Sequence, residues 1–162
     1  MYKRIVKYTN FKGEKKIEEL YFYLSPKDLK KFNANYEGGI KALFEKMISK
    51  GNDKLILETI EEIVLSSYGV ISDDGNRFIK NEKVREEFEY SAAYEQLFDE
   101  LTSTADAFAE FLKKVLPNDV QAQIEKAEKE GNVEMPEIVT EILKEQEAAE
   151  ANKVVDITST EG

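Results

Sequence analysis

Three adjacent carboxylate pairs, Glu61-Glu62, Glu86-Glu87 and Asp99-Glu100, are the residues of this chain best suited by type to general acid and base chemistry. Such chemistry needs two groups that converge on one reacting atom. Neighbouring residues on a helix do not face the same way, and each pair falls where a solvated helix face is expected. Asp73-Asp74-Gly75-Asn76 invites comparison with a calcium loop. Placing Gly75 at that loop's invariant glycine leaves Val70 where the first ligand belongs and Asn81 where the bidentate glutamate belongs. A tight turn before Phe78-Ile79 accounts for the segment better. Gly38-Gly39 lacks the lysine and hydroxyl that follow the glycines of a phosphate-binding loop, and reads as a helix break. With no histidine and no cysteine among 162 residues, thiolate nucleophiles, imidazole shuttles, zinc fingers and disulfides are excluded. The residues therefore indicate no catalytic group, no cofactor and no metal site.

The elements that would position any working surface begin with a hairpin. Lys3 to Tyr8 alternates, with Ile5 on the face of Lys3 and Lys7, and with Arg4, Val6 and Tyr8 on the other. Asn10, Lys12 and Gly13 supply turn chemistry for a loop longer than the tightest two-residue turns, which leaves more than one turn type available. Ile17, Leu20, Phe22 and Leu24 then form a second strand. Ser25-Pro26-Lys27-Asp28 opens a helix carrying Leu29, Phe32 and Tyr36. A second helix is expected over about 40–50, with Ile40, Leu43, Phe44, Met47 and Ile48 on one stripe. A third begins at Asn52 or Asp53, carries Leu55, Ile56, Ile60, Ile63 and Val64, and stops at Gly69. Asn81, Ser91 and Ser103 start three more before Pro117 closes the set. The fold class is mainly α with an N-terminal β-hairpin: a compact bundle of about six short helices, followed by an acidic, partly helical C-terminal extension.

All 17 aromatics precede Pro117, the last being Phe111, whereas 117–162 carries 4 basic and 12 acidic residues. This composition break assigns 1–116 to the packed domain and 117–162 to the extension, with disorder expected from about Asn152. The first 81 residues are net +3 and the remaining 81 net −13, a balance that disfavours phosphate-backbone binding and makes nucleic acid an unexpected partner. No stretch approaches the ~18 apolar residues of a membrane span, and the start lacks an apolar leader core. The sequence reads as that of a soluble intracellular protein without a membrane partner.

Two surfaces remain as candidates for binding. Tyr21 and Tyr23 share the strand face opposite Phe22, and either pack on a helix or present aromatics to a partner. In the extension, Ile138, Val139, Ile142 and Leu143 form a stripe two turns long, bordered by Glu137, Glu141, Glu145 and Glu147. So short a helix is marginal alone, and its stripe either docks on the body or takes a partner.

With these landmarks in place, YTNFKGEKKIEELYFYLSPKDL, the Gly38-Gly39 break, SYGVISDDGNRFIKNEKVREEF from Ser67 to Phe88, and SAAYEQLFDELTSTADAFAEFLKKVLP from Ser91 to Pro117 resemble, in order and spacing, the tail assembly chaperones of tailed phages of Gram-positive bacteria. The resemblance implies a non-enzymatic siphophage protein of the host bacterial cytoplasm, absent from the mature virion. Such a protein binds the tape-measure protein, keeps it soluble and helps tail-tube subunits polymerise around it. Tail-tube protein and a second copy of the chain are further partners implied, as is a longer frameshifted product in some relatives. A reading from another class is an acidic inhibitor that mimics nucleic acid and blocks a DNA-binding enzyme, motivated by the net −13 of the second half.

Overall fold

The computed structural model describes residues 1–35 and 53–130. Strands β1 (Tyr2–Thr9) and β2 (Lys15–Phe22) form the expected hairpin, in register from Tyr2 opposite Phe22 to Thr9 opposite Lys15. Asn10 organises the turn: its Oδ1 accepts from the amides of Lys12 and Glu14, and Gly13 takes a positive φ of 83° that side chains resist. Helix α1 (Pro26–Asn35) starts with a reciprocal cap. Ser25 Oγ accepts from the Asp28 amide at 3.2 Å, while Asp28 Oδ2 accepts from the Ser25 amide at 2.8 Å.

Helix α2 (Asp53–Ser67) ends two residues before Gly69, and the chain passes directly into strand β3 (Tyr68–Ile71). A turn then leads to β4 (Phe78–Ile79). The sequence indicates only a tight turn before Phe78-Ile79, and the strands on either side of it are an addition that the structure makes. Tyr68, Val70 and Ile71 have strand-forming side chains, and β3 finds its partner in the end of β2, with Tyr21 opposite Gly69 and Phe22 opposite Tyr68. The result is a four-stranded antiparallel sheet in the order β1-β2-β3-β4. Asp74 sits in the turn, its Oδ1 accepting from the Asn76 amide at 3.1 Å, and Gly75 has a φ of 71°.

Helices α3 (Glu82–Glu89), α4 (Ala92–Thr102), α5 (Ala105–Val115) and α6 (Asn118–Lys129) complete the described chain. Asn81 and Ser91 cap α3 and α4 as the sequence indicates, accepting from Val84 and Tyr94 amides. Thr104, rather than Ser103, caps α5, because Ser103 itself still has helical backbone angles at the end of α4. The expected helix over about 40–50 lies outside the described residues.

Helices cover one face of the sheet. Phe22 lies at the centre of the core, in ring contact with Tyr2, Tyr68, Phe88 and Phe111, the last edge-on at 5.1 Å. Tyr68 also stacks on Phe88 with ring centres 3.8 Å apart. Such pairs contribute about 0.5–1.5 kcal/mol each beyond their burial, so residues distant in sequence are fastened at one point. Where β2 ends, the Tyr23 amide donates to the Ser67 carbonyl and the Leu24 amide to that of Val115. Both acceptors are at helix ends, where carbonyls lack intrahelical partners. The core continues past Pro117 to Val120 of α6, and Gln121 Nε2 donates to the Leu116 carbonyl at 2.6 Å.

Candidate partner-binding surface

The strand pleat divides the hairpin between core and solvent. Val6, Leu20 and Phe22 point inward and are buried. Lys3, Ile5, Lys7 and Thr9 of β1 lie on the outer face, opposite Tyr21, Glu19, Ile17 and Lys15 of β2. Ile5 is 55% exposed and Ile17 is 70% exposed, and a free apolar pair on an otherwise folded sheet is a departure from what the core requires. Phe11 projects from the hairpin tip, also largely exposed.

Tyr21 and Tyr23 flank this area and both are half-buried. Tyr21 Oη donates to Glu19 at 3.0 Å, and the same carboxylate takes Lys3 at 3.1 Å. The Lys3 hydrogen bond, followed by that of Tyr21, holds the Glu19 carboxyl below its usual range. The hydrogen bond to Glu19 pushes the Tyr21 phenol up. Tyr23 borders a recess with Met1, Pro26 and Pro117, at the other end of the same face. Beyond Tyr21, the face passes through Gly69 to the ring of Phe78. A side chain on Gly69 would put its Cβ 2.7 Å from Phe78 Cζ, so the glycine is what lets that ring lie down on the sheet. Ile5, Ile17 and Phe78 escaped the sequence reading as surface residues. The alternation places Ile5 with the lysines, but the register that gathers it with Ile17 is a property of the pairing.

A polar clasp lies beside this face. Lys80, just after β4, donates from Nζ to the Tyr23 carbonyl at 3.0 Å, to Asp28 Oδ2 and to the Ser66 carbonyl at 3.3 Å. Burial alone would raise Asp28, but the hydrogen bonds from Lys80 and Ser25 outweigh it and hold the carboxyl below its usual value. Beside the clasp, Arg85 pairs with Glu62 at 2.8 Å. The clasp and this pair line one recess of about 280 Å³ with Phe32, Leu65 and Tyr68.

The carboxylate pairs are divided among such contacts. Glu61 accepts from Tyr94 Oη, Glu62 from Arg85 and Ser66, and Glu100 from Arg4 and Gln96. Glu61 and Glu62, adjacent in sequence, thus serve different structural neighbours, and Glu87 pairs with Lys83. The four residues of the acidic extension, Ile138, Val139, Ile142 and Leu143, lie outside the described residues.

What the geometry offers is a surface for contact, and comparison with known proteins gives it a setting. Residues 1–161 match a protein family described as phage tail assembly chaperone. The chain belongs to that family. The match spans hairpin, helices and acidic extension together. No curated protein and no solved structure matches the chain. Chaperones of this kind generally act by binding, and the family points to proteins of the phage tail as partners. No helix among the described residues of this tail assembly chaperone is long and apolar enough to cross a membrane.

Proposed function

We propose that this tail assembly chaperone binds the tape-measure protein in the host cytoplasm, keeps it soluble and promotes polymerisation of tail-tube subunits around it, without entering the mature virion. A tape-measure protein is a long chain whose apolar stripes end up enclosed by the tube. Before enclosure those stripes need an apolar cover that does not itself aggregate. The observation that carries the reading is the outer sheet face, where Ile5 and Ile17 are exposed between lysines and Tyr21 and Tyr23 stand at the margin. A net charge of −10 supplies the repulsion that keeps a loaded complex dispersed. Ile138, Val139, Ile142 and Leu143 offer a second apolar stripe to the same client.

The test is co-expression with the tape-measure protein encoded beside this gene, followed by pull-down and size exclusion with light scattering. The wild-type chain keeps the client in the soluble fraction and co-elutes with it. Ile5→Glu with Ile17→Glu, at positions whose exposure leaves the fold intact, reduces the soluble client several-fold, and Ile142→Asp with Leu143→Asp reduces it further. A client that stays insoluble with the wild-type chain, or is equally soluble with all variants, overturns the assignment of this surface.

A further inference from the structure

Two parts of this chain are alike in apolarity and opposite in charge. Residues 1–24 hold six basic and three acidic side chains, net +3, on a chain whose other residues sum to −13. On the outer face of the hairpin, Lys3 is neutralised by Glu19. Lys7 and Lys15, however, take part in no ion pair among the described residues. They stand next to Ile17, which lies directly across from Lys7, and one strand step from Ile5. The complementary pattern occurs in residues 137–147. Glu137, Glu141 and Glu145 recur every four residues, directly before Ile138 and Ile142 and two before Val139 and Leu143. On a helix this spacing sets a row of carboxylates along one side of an apolar row.

We propose that, in the client-free chaperone, residues 137–147 dock as a helix on the outer face of the hairpin of the same chain. Ile138, Val139, Ile142 and Leu143 cover Tyr21, Ile5 and Ile17, and the glutamates lie along Lys7 and Lys15. The tether has the required length. Asn118, at the start of α6, borders the recess that contains Tyr23, and the 12 residues of α6 carry the chain at most about 18 Å from there. The eight steps from Glu130 to Ile138 span up to about 27 Å, longer than α6 itself, so the chain can return from the end of α6 to the recess beside Tyr23. From Ile138 to Leu143 the stripe advances about 7.5 Å along a helix, and Ile5, opposite Glu19, lies two strand steps, about 7 Å, from the level of Ile17. The apolar stripe and the exposed isoleucines therefore match in length, and the glutamates beside the stripe are opposite in charge to Lys7 and Lys15. Release of this segment by a tape-measure client rests on the proposed function, but the docking does not.

The absence of cysteine from the chain makes the contact directly testable. In the full-length protein, Ile17→Cys combined with Leu143→Cys is oxidised at low concentration without any client and resolved on a non-reducing gel. The expected product is a cross-linked single chain whose yield does not depend on protein concentration. Lys7→Glu with Lys15→Glu lowers that yield several-fold, and adding Glu141→Lys with Glu145→Lys restores it. Val70→Cys with Leu143→Cys serves as the control, since Val70 is exposed but lies on the opposite face of the sheet from Tyr21. A yield no greater than this control overturns the proposal. So does a concentration-dependent cross-linked dimer, which would assign the segment to a second copy. Because no client is present, failure here leaves the tape-measure reading standing, and failure of client binding leaves this one standing.

Discussion

Replacing Lys80 by methionine tests whether the clasp at the end of β2 holds the outer sheet face in place. Methionine keeps most of the stem that packs beside Gly69 and removes the ammonium alone. Lost with it are the bonds to Asp28 and to the carbonyls of Tyr23 and Ser66. Hydrogen bonds to charged groups contribute about 1.5–3 kcal/mol, and breaking a fully buried ion pair costs about 3–5 kcal/mol. The Lys80 and Asp28 side chains are 20% and 21% exposed, which puts the expected loss near the lower figure, about 2 kcal/mol. With a urea dependence of about 2 kcal/mol per molar, the unfolding midpoint followed by circular dichroism falls by about 1 M at pH 7. The effect also has a required sign against pH. Asp28 is depressed in the folded state, so its contribution is complete above the unfolded carboxyl value of about 3.9 and is lost as pH falls through the folded value. The gap between wild type and Lys80→Met must therefore narrow in acid. An unchanged midpoint at pH 7, or a gap as wide at pH 2 as at pH 7, would refute the reasoning. Asp28→Asn added to Lys80→Met costs little more, since the partner is already gone.

Two further predictions follow from close contacts. Gly69→Ala drives a methyl group into the Phe78 ring and the Lys80 stem and lowers stability by about 1 kcal/mol or more; Phe78→Ala in the same chain relieves it, and equal urea midpoints for Gly69→Ala and wild type would show the ring to be unconstrained. Burial first, and the nearby Glu61 carboxylate second, push the Tyr94 phenol far above its ordinary value. In an absorbance titration of the eight tyrosines, Tyr94 stays protonated through the range near pH 10 where exposed phenols ionise. Tyr94→Phe removes one late-ionising group, and loss of an early one instead would contradict the assignment.

Much of this fold was legible because its signals are local. Ser25, Asn81 and Ser91 announce helix starts through side chains that bond an amide three residues away. The alternation in β1 and β2 fixes which residues of the hairpin share a face. Strands β3 and β4 carried no such signal, being four and two residues long. Their existence depends on Phe22 meeting Tyr68, 46 residues away in sequence, and on Gly69 making room for Phe78 across the turn. The site divides along the same line. Tyr21 and Tyr23 could be placed on one face from sequence parity, whereas the convergence of Ile5 with Ile17, and the arrival of Phe78, required the pairing register.

The same hairpin shows how an assembly chaperone can expose apolar surface among proteins that polymerise. Among the described residues β1 pairs only with β2, leaving eight residues along one edge of the sheet. A long free edge invites further strands, from another copy or from a tail subunit. Here Lys3 and Lys7 charge the outer side of that strand. Arg4, pointing inward, is committed to Glu100 at 2.6 Å, with its side chain 25% exposed. An inward charge near an edge opposes an added strand, because the newcomer would have to pack against it or strip its partner. Under the proposed function, recognition uses the side-chain face of Ile5, Ile17 and the tyrosines, while pairing along the backbone edge, which would extend the sheet, is discouraged. A binding mode built on side chains and lysines is also reversible by competition and by salt, as release of the proposed client during assembly would require.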